Sequence, residues 1–237
     1  MRGALVWVVL VGVLGLCVER AMGFFCIAMS GSGQHMLLTG FHNLVSSDYG
    51  VTFEQVPDFL TLSEQWHGCT VDESGQHMVL GSYMSGLYAS ADFGKTWTKS
   101  DLVPIQNWGS IATSAAGDRL AAIYSENADY QGQGSVMVSS NAGLNWNYTY
   151  AYHMDYVDIA CDDSAEFIAT IVHNCGQSAC QLLTSSNFGG NWSFANSAPY
   201  DRFYSLAADS KAQRLFITGN KGVHVTADRG STWTTWA

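Results

Sequence analysis

Between residues 66 and 100 the chain reads WHGCTVD, GQHMVLGSY, GLYASAD and TWTKS, four short β-prone runs separated by Gly, Ser and Asp. Apolar runs of this length bounded by turn residues predict strands. No segment sustains the 3.6-residue period of an amphipathic helix. The same layout recurs along the chain. The units align on the turn before the second run, at GSGQHMLL (31–38), ESGQHMVL (73–80), AAGDRLAA (115–122), DSAEFIAT (163–170) and KAQRLFI (211–217). That alignment places an aromatic at the head of every first run: Phe24, Trp66, Trp108, Tyr156 and Phe203. The expected fold is all-β, one domain over residues 24–237 made of five four-stranded units.

A second repeat lies between the third and fourth runs of each unit. SSDYGVTF (46–53), SADFGKTW (90–97), SSNAGLNW (139–146), SSNFGGNW (185–192) and TADRGSTW (226–233) start 44, 49, 46 and 41 residues apart. The pattern resembles the Asp-box, or BNR repeat, S-x-D-x-G-x-T-W. That repeat occurs in sialidases, sortilin-type receptors, xyloglucan hydrolases and photosystem II assembly factors. The resemblance implies a β-propeller, and the repeat count makes its blades five, with the box at the turn from strand three to strand four. Five blades fit residues 24–237 with none left over. A complete ring is the expectation; a fragment, or a ring completed by another chain, is the alternative.

The box itself reads as a fastener. Its glycines suit a turn that needs positive φ. The side-chain oxygens of Asp48, Asp92, Asn141, Asn187 and Asp228 can accept backbone N–H groups of their own turn, with the Ser or Thr hydroxyl adding a bond. Two of the five copies carry Asn, which turn capping tolerates and metal binding or catalysis would not. No metal site or cofactor is expected. His35 and His77 share a slot that Arg119 and Arg214 fill in other units, so a turn role is expected of them over a metal pair.

Residues 4–18 form an apolar run behind Arg2, followed by Glu19, Arg20 and the small residues AMG. At 15 positions the run falls short of the roughly 20 of a membrane span. It reads as a signal peptide over residues 1–23, the alternative being an uncleaved anchor. The expectation is therefore a secreted or lumenal protein with no membrane span after cleavage. Loss of that segment moves the net charge from −10 to −11. So acidic a chain is a poor partner for nucleic acid, whose phosphates call for clustered cations.

Five cysteines remain after cleavage, and an oxidising compartment favours disulfides. Cys175 and Cys180 flank GQSA and are expected to bridge. Cys26 and Cys69 fall at opposite parity on equivalent inner strands, so they face the junction of units one and two from either side. They are either a bridge between blades or two buried thiols. Cys161 reads as a packing residue. The sequon at Asn147 lies on an outer strand and could carry a glycan, whereas the one at Asn191 lies inside a box and is expected to be shielded.

Turns alternate between the two ends of a blade, so the boxes occupy one end and the blade-to-blade loops the other. From the slot before strand two to the box start the distances are 11, 13, 20, 18 and 12 residues. The excess falls in YSENADYQGQG (124–134) and HNCGQSAC (173–180), and insertions on one face of a repeat array mark a binding side. The candidate ligand residues there are Trp108, Glu126, Asn127, Asp129, Tyr130, His153, Asp155, Tyr156, His173 and Asn174, with Asp201, Arg202 and Tyr204 leading into the next blade. Aromatic faces beside amides and carboxylates suit sugar recognition, with apolar faces to stack on and hydroxyls to hydrogen-bond.

Sialidase activity is disfavoured, because that family clamps its substrate with three arginines and carries an F/Y-R-I-P motif that is absent. Of Arg119, Arg202, Arg214 and Arg229 only Arg202 lies at the loop-rich end. Another glycoside hydrolase would need paired carboxylates, and Glu64, Glu126, Asp129, Asp155 and Asp201 lie toward that end with no local motif pairing them. The preferred reading is a non-catalytic propeller that binds a glycan or protein. The alternatives are a glycoside hydrolase or, on resemblance alone, a photosystem II assembly factor-like protein.

Overall fold

The computed structural model describes residues 24–40, 42–56, 66–82, 86–101, 103, 106–125, 134–149, 151–152, 154–173, 180–195 and 197–237. These form five four-stranded antiparallel sheets. Blade one is β1 (Phe24–Met29), β2 (Met36–Gly40), β3 (Leu44–Ser46) and β4 (Glu54–Gln55). Blade two is β5 (Trp66–Val71), β6 (Met78–Ser82), β7 (Gly86–Ser90) and β8 (Thr98–Lys99). Blade three is β9 (Asn107–Thr113), β10 (Leu120–Ser125), β11 (Ser135–Ser139) and β12 (Asn147–Tyr148). Blade four is β13 (Asp155–Cys161), β14 (Ile168–His173), β15 (Cys180–Ser185) and β16 (Ser193–Phe194). Blade five is β17 (Phe203–Ala208), β18 (Leu215–Gly219), β19 (Gly222–Thr226) and β20 (Thr234–Trp236). No helix among the described residues is long and apolar enough to cross a membrane. The expected signal peptide, residues 1–23, lies outside the described residues.

The core sits between blades, because alternate residues of each middle strand face opposite neighbours. In blade two, Met78 and Leu80 pack with Leu37, Cys69 and Val71 at the junction with blade one. The intervening Val79 packs with Trp108, Ile111 and Leu120 of blade three. The same alternation carries on through blades three and four: Ile123 and Val136 meet Ile168 and Leu183, and Ile171 and Leu182 meet Leu215 and Ile217.

Cys26 and Cys69 form the disulfide, with Cα atoms 5.8 Å apart. Cys26 pairs across the ladder with Thr39, whose hydroxyl reaches Trp66 O of blade two, and Cys69 pairs with Leu80 on the face toward blade one. Cys161 is a partly buried free thiol donating to Thr113 O at 3.3 Å. Cys180 is a buried free thiol where a bridge to Cys175 is expected; its Sγ is turned to the backbone of Phe203, accepting from that N–H at 3.1 Å. Cys175 itself lies outside the described residues.

Among the described residues the expected closure between blades five and one is not seen. Successive inner strands pack together from β1 through β5, β9 and β13 to β17, but β17 and β1 do not pack in that way. The outward face of blade five stays open: Phe216 is 42% exposed and Val223 39%. The equivalent Val79, Ala121 and Ala169 of blades two to four are buried.

Candidate functional site

All five boxes fold as one turn. Asp92 Oδ1 accepts Thr96 N–H at 2.8 Å and Oδ2 accepts the Thr96 hydroxyl at 2.6 Å, while Ser90 Oγ accepts Gly94 N–H at 3.0 Å. Asp48 holds Thr52, and Asp228 holds Thr232, with the same pair of distances. Asn141 and Asn187 keep the backbone half of the pattern, accepting from Asn145 and Asn191 at 2.9 and 2.8 Å. Two successive residues take positive φ in each box, as at Phe93 (63°) and Gly94 (81°). Trp97 Nε1 then donates to Gly94 O at 2.9 Å and buries its ring. The carboxylates of the boxes are thus occupied within their own turns.

These bonds leave an acid signature. The hydroxyls of Thr232 and Thr226 hold the Asp228 carboxyl down at about 2, from an ordinary 3.8. A depressed folded value stabilises the fold above the ordinary range, and that contribution is lost as pH falls through about 2. Asp228→Asn keeps the acceptor for Thr232 N–H and removes the charge. The variant is expected to melt below the parent at pH 6, with the gap shrinking from pH 4 and closing near pH 2. A gap of constant size across that series would contradict the assignment.

At the loop-rich end two buried carboxylates are tied to imidazoles. Asp201 Oδ2 contacts His224 Nε2 at 2.9 Å and accepts Lys221 N–H at 2.8 Å; Oδ1 accepts Arg202 N–H at 2.7 Å. Burial alone would raise the Asp201 carboxyl, but these three bonds outweigh it and hold the group below its ordinary value. His224 Nδ1 is occupied in turn by the Thr235 hydroxyl at 2.8 Å. In blade four, Asp155 Oδ2 lies 3.2 Å from His173 Nδ1. The Asp155 bond, then the adjoining Cys180, push the His173 imidazole up to about 10. Asp155 Oδ1 and His173 Nε2 are buried atoms without a hydrogen-bond partner.

The structure separates the sequence candidates. Trp108, only 1% exposed, packs against Tyr124 and Trp146. Tyr156 is also buried, its hydroxyl donating to Tyr152 O. Neither ring is presented to a ligand, in contrast to the surface role expected of them. The cause is a bulge near the start of each first strand, between Tyr156 and Asp158 in blade four for example, which turns the head aromatic inward. Arg202 and Tyr204 are exposed. Glu64, Glu126, Asn127, Asp129, Tyr130, His153 and Asn174 lie outside the described residues.

Three exposed tyrosines mark the same end. Tyr152 stacks on Phe194 at 5.0 Å, Lys221 Nζ lies 5.6 Å from the Tyr200 ring, and the Tyr204 hydroxyl bonds Asn220 Oδ1. Tyr152 and Tyr200 escape the sequence reading, though each stands a few residues ahead of a first strand, the signal that would have found them. At the box end, His35 and Phe93 line a groove of about 350 Å³ together with Glu54 and Lys95. His77 Nδ1 bonds Asp72 Oδ2 at 2.9 Å, in keeping with a turn role for its slot. No cluster of metal-ligating side chains forms among the described residues. Asn147 is exposed on β12, and Asn191, expected to be shielded, is exposed as well.

Blades and boxes together define a β-propeller built from Asp-box repeats. Residues 87–100 match the family model described as the BNR-Asp box repeat. No curated relative matches the sequence. Among solved structures, the GH74 xyloglucanase from Xanthomonas campestris superposes with a TM-score of 0.71 at 18% identity, over 91% of this chain and 38% of the enzyme. A chain of the nidogen/laminin complex gives 0.62 at 12% identity, over 90% of this chain and 79% of its own. YCF48 from Cyanidioschyzon merolae gives 0.62 at 16% identity, over 92% and 72%. The chain thus spans little more than a third of the xyloglucanase. At these identities the likeness is one of fold.

Proposed function

We propose that the protein is a non-catalytic binding propeller of the secretory pathway, taking a glycan or protein ligand at its loop-rich end. The observation that carries this reading is the exposure of three tyrosines near the starts of the first strands of blades four and five, Tyr152, Tyr200 and Tyr204, where Asp155 and Asp201 are already hydrogen-bonded within the fold. Exposed rings with polar tips supply stacking area at small entropic cost. Asp201, with three partners, is a support for the surrounding backbone and poorly placed to shuttle protons. The bridge between Cys26 and Cys69 fits an oxidising compartment, and a glycan at Asn147 would project from an outer strand.

The test is to display the full chain, expressed through a secretory host, against arrays of glycans and of extracellular protein domains. A triple variant, Tyr152→Ala, Tyr200→Ala and Tyr204→Ala, is expected to weaken the bound signal about tenfold or more with its melting temperature unchanged. Binding that survives the triple variant would move the site elsewhere. Release of reducing sugar from a polysaccharide by the wild-type chain would overturn the non-catalytic reading in favour of a glycoside hydrolase.

A further inference from the structure

The groove of about 350 Å³ at the box end lies between blades one and two, with one wall from β3 to β4 and the other from the box of blade two. Its place follows from how the junctions close. Across three of them the slot residue ahead of a second strand and the fourth position of the next blade's box clasp one another. The His35 ring lies 4.6 Å from Phe93, the Arg119 guanidinium 5.0 Å from the Phe188 ring, and the Arg229 guanidinium 4.9 Å from the Phe167 ring. Residues that follow an outer strand then tie it to the next box. The Ser100 hydroxyl donates to Gly143 O, Trp192 Nε1 donates to the Thr149 hydroxyl at 3.2 Å, and the Ser197 hydroxyl donates to Gly230 O. Counted from the start of the box, the counterpart of Ser100 and Thr149 in blade one is Val56. It is buried with Trp97 and has no hydroxyl to offer. The two walls meet at Gly94, where a Cβ would lie 2.7 Å from Val45, and the groove opens beside that contact.

The lining of the groove is equipped for a ligand. Phe93 is 37% exposed, with His35 packed against its ring and its N–H donating to Gln76 O at 3.1 Å. Around it stand the exposed side chains of Ser47, Glu54, Gln55 and Lys95. Neither Glu54 nor Lys95 enters an ion pair among the described residues. A carboxylate and an ammonium thus line one small space with their hydrogen-bonding capacity unspent. His35 Nδ1, on the same lining, is a buried atom without a hydrogen-bond partner. The Cys26–Cys69 bridge ties together the two blades that supply the walls, so their spacing is set before anything binds.

We infer that this groove is a second binding site, for a neutral saccharide, at the end of the propeller opposite the loop-rich site proposed above. Its volume falls near the lower end of the roughly 300–1,000 Å³ of small-molecule sites, which suits a short saccharide. The opposite charges of Glu54 and Lys95 cancel, so the lining selects neither an anion nor a cation. Carboxylate and amide oxygens accept from sugar hydroxyls, and the ammonium and amide nitrogens donate to them. The face of Phe93 takes the apolar C–H side of the sugar ring. A polyanion is repelled by a chain of net charge −10. A zwitterionic peptide spanning Glu54 and Lys95 would give up the hydration of two charges for exposed ion pairs, which contribute little. Neutral hydroxyls give up less.

Titration of the full chain with neutral oligosaccharides of glucose, galactose, mannose, xylose and fucose, followed through amide chemical shifts, tests this. The titration is run in the Tyr152→Ala, Tyr200→Ala, Tyr204→Ala background, which silences the loop-rich site, so the failure of one proposal leaves the other standing. At least one oligosaccharide is expected to bind with a Kd on the order of 1 mM or tighter and to move the amide resonances of Gln55 and Lys95. Glu54→Ala and Phe93→Asn are each expected to weaken that binding about tenfold or more at an unchanged melting temperature. Asn accepts the positive φ of position 93. Glu54 is an exposed side chain whose removal leaves the fold intact, so Glu54→Ala decides the matter where Phe93→Asn fails to fold. Absence of binding up to about 10 mM, or binding that Glu54→Ala leaves undiminished, would overturn the proposal. Movement of Gln55 and Lys95 by a zwitterionic dipeptide and by no saccharide would overturn it too, in favour of a peptide site.

Discussion

Replacing Cys26 and Cys69 by serine is expected to lower the stability of the protein by about 4 kcal/mol, equivalent to a fall of about 8–16 °C in melting temperature for a chain of this size. The magnitude follows from the 43-residue separation of the two cysteines, through the loop-closure entropy that the bridge removes from the unfolded chain. The position of the bridge adds to its effect. It links the inner strands of two successive blades, so its loss frees blade one from its neighbour as well as loosening one loop. Thermal melts of the double-serine variant beside the parent, with and without reductant, check the expectation. A shift below about 2 °C, or equal sensitivity of both proteins to reductant, would show that packing between Leu37, Val71 and Leu80 suffices to hold the two blades together.

Trp108→Ala is expected to cost about 3–5 kcal/mol, the range for removing a large aromatic from a packed interior. Its indole fills the junction between blades two and three beside Ile111, Leu120 and Met137, and the surrounding strands are tied by ladders that resist collapse into the vacated space. Tyr200→Ala, at a 63% exposed ring, is expected to change stability by less than about 0.5 kcal/mol. Urea unfolding of the two variants separates core aromatic from surface aromatic. If Trp108→Ala unfolds with the parental midpoint, the indole is not a core element and its candidacy as a ligand contact returns.

The comparison of residues explains what could be read ahead of the structure. The box and the turn before strand two are local, and both fold where the repeat alignment places them, because their hydrogen bonds close within a few residues, as from Asp92 to Thr96. The parity of Cys26 and Cys69 was legible for a similar reason, since alternation along a strand survives from sequence into structure. Trp108 and Tyr156 were misjudged because the bulge that turns them inward leaves no mark on composition. The clasp between Arg119 and Phe188 was hidden by distance, one partner lying in the next repeat. Its trace is present all the same: where one member of a slot and box pair is an arginine, at Arg119 or Arg229, the other is phenylalanine.

The contrast between a stapled blade one and an uncovered blade five also sets an order of events. In an array whose units touch only their neighbours, stability is shared along a line, and loss of structure starts where a unit has one neighbour and no cross-link. Among the described residues blade five meets that description, with β20 wholly exposed and Phe216 facing solvent. Its amides should exchange with deuterated water ahead of those of blades two and three, and the opening should travel toward the disulfide. Among the described residues, opening is thus expected to begin at blade five and to end at the Cys26–Cys69 bridge.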